Sequence, residues 1–166
     1  MRQANSAPTS GTSTNSRVPT RTATSAYRLS RMKGAVSTLV PSGVPGRMER
    51  IENERGILVF VDYAHTADAL TQVLITLRAA GAATIFTVFG CGGNRDRSKR
   101  PDMGRAAARL STSVIVTSDN PRNEAPESII AEIEPGLRAQ GFVRADVPDE
   151  CRRQGRYCVM PDRRQA

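Results

Sequence analysis

GILVFVDYAHTADALTQVLITLRAAG (56–81) changes its period halfway along. Gly56–Asp62 is a short, nearly continuous apolar run, which predicts a strand buried on both faces of a sheet. From Ala69 the apolar residues fall three or four apart, at Ala69, Leu70, Val73, Leu74 and Leu77, which predicts a helix. Thr66 is placed to cap its start and Gly81 to end it. Moving outward, Ala83–Gly90 repeats the strand signature through Ile85, Phe86, Val88 and Phe89. Pro101 marks the first turn of a second helix that runs through alanines to Leu110, and Val114–Thr117 reads as a third strand. Pro126 opens a third helix with Ile129, Ile130 and Ile133 inward, which Pro135 is expected to kink or end. Tyr157–Met160 reads as a fourth strand. Strands alternating with helices predict an α/β, Rossmann-like domain with a mainly parallel sheet and right-handed crossovers. The sheet is expected to lack its last strand or strands, since the sequence stops soon after the fourth.

The 166 residues suffice for one ordinary domain, placed at 34–166. Residues 1–33 are rich in Ser, Thr, Ala, Asn and Arg without apolar periodicity, so the reading taken is a disordered leader. A transit peptide (whose amphipathic helix is not visible) and non-native sequence remain alternatives there.

The net charge of +8 raises nucleic acid as a partner, and its distribution argues against one. Residues 1–33 carry six basic side chains and no acid, and residues 151–166 carry five arginines against Asp162. Taking the resulting +6 and +4 from the total leaves −2 for residues 34–150. A nucleic-acid-binding domain more often carries its positive charge on the folded face, so the alternative reading is an interaction module using its basic ends. No apolar run approaches the roughly 20 residues of a membrane span. Cys91, Cys151 and Cys158 form no CxxC pair, and His65 is the lone histidine, which argues against a structural zinc. An odd cysteine count without an apolar signal segment points to a reducing, cytoplasmic setting.

Ligands of open parallel sheets bind beyond the carboxyl ends of the strands. Three polar clusters are expected at that edge: Asp62–Thr66, Gly90–Arg97 and Ser118–Arg122. Gly92 and Gly93 lack the Gly-Lys-Ser/Thr ending of a phosphate loop and fail GxGxxG, and permitting a tight turn at positive φ is their plain alternative. His65 is a candidate catalytic base, a ligand or a hydrogen-bonded loop residue. Asp119–Arg122, by itself, would suit an Asx turn. Together with Arg95, though, Arg122 offers a planar fork for a carboxylate, Asn120 both donates and accepts, and Asp119 can hold an ammonium. Pro121 would stiffen that turn. Arg95, Asp119, Asn120 and Arg122 therefore suit a zwitterionic amino acid.

These strings resemble the Mur ligase family: VPGRMERI (44–51), VFVDYAHTADAL (59–70), VFGCGGNRDRSKRPDMG (88–104) and VIVTSDNPRNEAP (114–126). The resemblance covers about residues 43–137, with a weaker echo in 157–166. It is strongest to the branch that adds meso-diaminopimelate to UDP-N-acetylmuramoyl-L-alanyl-D-glutamate in peptidoglycan synthesis. It implies ATP-driven amide formation through an acyl phosphate, with ATP and Mg2+ as cofactors. It also implies that Asp119, Asn120 and Arg122 hold the distal end of diaminopimelate with help from Arg95. Arg47 and Asp62 resemble ATP-contacting positions, and His65 lies near the nucleotide in that likeness. Ala67 stands where proline is usual, and Asn94 where aspartate is common. The sequence holds neither a Gly-Lys-Thr phosphate loop nor a terminal Gly-Lys-Gly-His-Glu segment. ATP is therefore expected to be bound mainly by a central domain outside this sequence, supplied, in one arrangement, by a separate chain. Alone, the chain is expected to be inactive.

Overall fold

The computed structural model describes residues 44–147 and 149–166. The leader assigned to residues 1–33 lies outside the described residues.

Two sheets are present among the described residues. β1 (Glu49–Ile51) and β2 (Val59–Val61) form an antiparallel ribbon, with Arg50 opposite Phe60. β3 (Phe86–Phe89), β4 (Ser113–Thr117), β5 (Val143–Arg144) and β6 (Arg156–Met160) form a parallel sheet in the order β3-β4-β6-β5. The α/β class and the parallel sheet agree with the sequence reading. The first predicted strand does not join that sheet. Only Val59–Val61 of the 56–62 run is extended, and Ile57 (57% exposed) and Val61 (47%) face solvent. A short apolar run is compatible with several environments, and here a local hairpin partner satisfies its backbone.

Helix α1 (Ala67–Ala79) starts where Thr66 Oγ1 accepts the Ala69 N–H at 3.2 Å. It ends with Gly81 at φ +93°, whose N–H bonds Arg78 O while Ala82 N reaches Leu77 O. Helix α2 (Lys99–Leu110) and helix α3 (Pro126–Arg138) follow β3 and β4. Pro135 does not end α3. It removes one internal hydrogen bond, yet the helix runs three residues further. The adjoining Gly136 explains the local packing: a Cβ there would come within 1.9 Å of Pro101 O, and one on Gly104 within 2.5 Å of Ile133 O. The α2 and α3 backbones touch through these two glycines.

Chain direction decides which face each connection covers. Steps from β3 to β4 and from β4 to β5 move the same way across the sheet, so right-handed crossovers put α2 and α3 on one face. There Leu70 and Leu74, Met103 and Ala107, and Ile129, Ile133 and Leu137 pack on Ile85, Phe89, Val114, Val116 and Tyr157. The step from β5 back to β6 reverses direction and carries a short 3-10 turn (Glu150–Arg152) to the opposite face. Ser113 Oγ donates to Cys151 O on that side. Cys151 and Cys158, which the sequence reading does not pair, lie side by side there with Cα atoms 5.6 Å apart.

Candidate functional site

β3, β4 and β6 are parallel, so the loops that leave them emerge together at one edge. Two of the three predicted polar clusters, 90–97 and 118–122, lie there by topology. The third does not share that origin, because Asp62–Thr66 leaves β2 in the separate ribbon.

Glycines let the two edge loops touch. A Cβ on Gly90 would fall 2.2 Å from Thr117 O, and one on Gly93 would fall 1.9 Å from Pro121 O. Neither Gly92 nor Gly93 is among the glycines at positive φ, so close approach, not turn geometry, is what demands glycine at position 93. Left-handed backbone occurs instead at Asn94 (φ +50°) and Arg122 (φ +49°), one in each loop. Cross-loop bonds hold both: Gly93 N donates to Asn120 O at 2.8 Å, Asn123 N to Asn94 Oδ1 at 3.1 Å, and Arg122 Nη1 to Gly93 O.

This clamp brings two predicted guanidinium-bearing residues together. The position of a Gly92 Cβ would be 3.2 Å from Arg122 Nη1 and 3.8 Å from Arg95 Cγ, with Asn120 O at 3.7 Å. Arg95, Asp119, Asn120 and Arg122 are all exposed. Among the described residues no hydrogen bond or ion pair engages Arg95, whereas Asp119 Oδ1 accepts Arg163 Nη1 at 2.8 Å.

Beneath the rim lies a charged cluster that sequence reasoning missed. Arg100 is 1% exposed; it bonds both oxygens of Glu124 at 2.9 Å, Glu132 Oε2 at 2.8 Å and Gly92 O at 3.4 Å. Arg97 also pairs with Glu132. Arg100, with help from the Asn94 N–H, holds the Glu124 carboxyl down to about 2. The available signal was a single arginine before Pro101, at the start of a helix whose next turns are apolar. Burial pushes the Cys91 thiol up to about 11, so it is protonated and no nucleophile at neutral pH. Thr117 Oγ1 is buried with no partner among the described residues.

Arg47, Asp62 and His65 gather on the ribbon. Asp62 accepts Met48 N and Ala64 N, both at 2.8 Å, one on each carboxylate oxygen. Arg47 lies over the Tyr63 ring at 5.5 Å, and His65 Nδ1 sits 3.1 Å from Tyr63 O. No described hydrogen bond links these three to Arg95 or Asp119–Arg122. Among the described residues no three His, Cys, Asp or Glu side chains converge as a metal site. Asp62 stands here without two further such side chains beside it, so the described residues do not form a Mg2+ cage of their own.

Residues 46–166 match the sequence model described as "Mur ligase, glutamate ligase domain". The chain belongs to the Mur ligase family. The matched Mur ligase region is the family's carboxy-terminal domain. It is 61% identical over 121 residues to the UDP-N-acetylmuramoyl-L-alanyl-D-glutamate–2,6-diaminopimelate ligase of Lawsonia intracellularis, covering 72% of this chain and 25% of the relative. The enzyme of that name from Geobacter metallireducens is 58% identical over 99 residues, 60% of this chain and 19% of the relative. A solved structure of an enzyme of that name aligns with a TM-score of 0.57 at 43% identity, over 75% of this chain and 23% of the other. This Mur ligase chain thus spans a quarter or less of the length of these relatives. No described helix is long and apolar enough to cross a membrane.

Proposed function

We propose that this chain is the amino-acid-selecting domain of an ATP-dependent ligase that joins meso-diaminopimelate to UDP-N-acetylmuramoyl-L-alanyl-D-glutamate in the cytoplasm. The observation that carries the reading is the packing of Arg95 and Arg122 against one glycine, Gly92, beside Asp119 and Asn120. A carboxylate laid over Gly92 meets the Arg122 fork, and Arg95 has no competing partner among the described residues. Asp119 offers an oxygen to the ammonium on the same carbon as that carboxylate, and Asn120 can bond either group. A lysine held by its side-chain end presents an ammonium alone and would leave the guanidinium groups without a counter-charge. The relatives named for 2,6-diaminopimelate support this choice of amino acid.

ATP fits this chain only at its margin. Arg47, exposed and stacked on Tyr63, suits a phosphate contact. Asp62 folds the loop that carries Arg47, each of its oxygens accepting a backbone N–H. His65, in the segment after β2, has among the described residues no carboxylate partner that would make it a base. Phosphate activation and Mg2+ binding are assigned to a further domain, in the same polypeptide or on a separate chain.

Calorimetry on the 166-residue chain tests the reading. Meso-diaminopimelate should bind, Arg122→Ala should weaken it about 10- to 100-fold, and 1,5-diaminopentane, which has lysine's terminal ammonium without any carboxylate, should bind no better than that variant does. Equal affinity for the two ligands would remove the selectivity. With ATP, Mg2+ and both substrates, the chain alone should release no phosphate.

A further inference from the structure

The turn at Asp119–Arg122 is fastened on two sides. The β3 loop holds it from one, through the bonds to Gly93 and Asn94 described above. The segment after β6 holds it from the other. Ser118 N reaches Pro161 O at 3.3 Å, continuing the β4–β6 pairing one step past Thr117 and Met160. Arg163 Nη1 then bonds Asp119 Oδ1 at 2.8 Å. Arg163 is itself set in a local turn, in which Asp162 accepts Arg164 N at 2.9 Å on its side chain and Gln165 N at 3.0 Å on its carbonyl.

From this geometry we infer that Arg163 is a positioning and specificity-determining residue of the amino-acid pocket, acting through Asp119. The inference rests on the proposed function for its ligand, though not for its effect on the turn. Arg163 engages one carboxylate oxygen of Asp119, and no described residue bonds Oδ2. The side chain is thereby oriented with one oxygen committed and one left for an incoming ammonium. Its charge is also offset. A lone ammonium, as at the end of lysine, gains less from an aspartate already paired with a guanidinium. A group carrying both ammonium and carboxylate still gains from Arg95 and Arg122. Arg163 thus raises the affinity for such a group relative to a lone ammonium. Stability is not its main contribution, because the pair is half-exposed, with side chains 54% and 47% accessible, and such pairs add little to folding.

The test uses the full chain with Arg163→Ala and Arg163→Lys, titrated with meso-diaminopimelate and with 1,5-diaminopentane, whose ends are lone ammonium groups, alongside amide exchange at Ser118, Asp119 and Asn120 without ligand. Arg163→Ala should weaken diaminopimelate about fivefold or more and narrow its ratio to the diamine, at an unchanged thermal midpoint. Arg163→Lys should restore most of the ratio, since it keeps the charge beside Asp119. The three amides should exchange faster in Arg163→Ala. An unchanged affinity ratio in a chain that binds diaminopimelate overturns the inference. If the unaltered chain does not bind diaminopimelate, the proposed function fails instead. Exchange then decides the positioning role: faster exchange upholds it and unchanged exchange overturns it.

Discussion

Arg100 and Glu124 meet in a two-point contact, Nη1 to Oε2 and Nη2 to Oε1, both at 2.9 Å, with the arginine buried and the glutamate side chain 21% exposed. A forked pair of this kind fixes direction as well as distance. It ties the first turn of α2 to the loop that follows Asp119–Arg122. The same guanidinium bonds Glu132 on α3 and the carbonyl of Gly92. The floor beneath the rim is therefore ionic, and the rim inherits its position from Arg100.

Removing Arg100 should be costly. Arg100→Met keeps volume but leaves Glu124 and Glu132 without their shared cation. The expected loss is about 3 kcal/mol, the low end for breaking a buried pair, because both carboxylates reach solvent. Urea unfolding checks it, and a loss below about 1 kcal/mol would show that the cluster is not structural.

Acid should loosen the same floor. The Glu124 carboxyl is held near 2 when folded against an ordinary 4.5. A depressed pKa contributes stability that is fully present above the unfolded value and is lost as pH falls through the folded one. The urea midpoint should therefore decline between about pH 5 and pH 2. Glu124→Gln, lacking the titrating group, should show a shallower decline in that window.

Gly93 should tolerate no side chain. Gly93→Ala drives a Cβ into Pro121 O and should cost about 2 kcal/mol while separating the two loops, so meso-diaminopimelate binding should fall with it. Gly141 is the control. Its φ is +78° with open space around it, so Gly141→Ala should cost only about 1 kcal/mol of backbone strain and leave binding intact.

The orphan hydroxyl of Thr117 predicts a gain. Thr117→Val removes a buried polar atom that has no partner among the described residues, and should raise stability by about 1 kcal/mol. A lower thermal midpoint would mean that the hydroxyl is satisfied in solution.

The elements readable in the sequence were those set by local chemistry. The Thr66 cap, the Gly81 stop and the apolar spacing of α1 all operate within a few residues, and the helix formed where they place it. The runs at 83–90 and 114–117 became neighbouring parallel strands, which put Arg95 and Arg122 on one edge. What stayed hidden depends on partners distant in sequence. The 56–62 run was apolar enough for a buried strand, but its partner is Glu49–Ile51, a segment with no apolar alternation. Nothing in the sequence sets Arg100 apart from the cations around it, because its partners Glu124 and Glu132 lie 24 and 32 residues away. Gly93 gave no hint that it faces a backbone carbonyl 28 residues away. Nor could Arg163, within an arginine-rich tail, be matched to Asp119 before β6 was known to pair with β4.

Nitrogen-resolved NMR of the arginine side chains tests the central claim most directly, because it reports each guanidinium separately. Titrating meso-diaminopimelate into the labelled chain should shift the Arg95 and Arg122 signals together, with one half-saturation point, while 1,5-diaminopentane, which has no carboxylate, moves neither to the same extent. A titration in which only one of the two responds, or in which the diamine reproduces both shifts, would contradict a shared carboxylate-gripping rim.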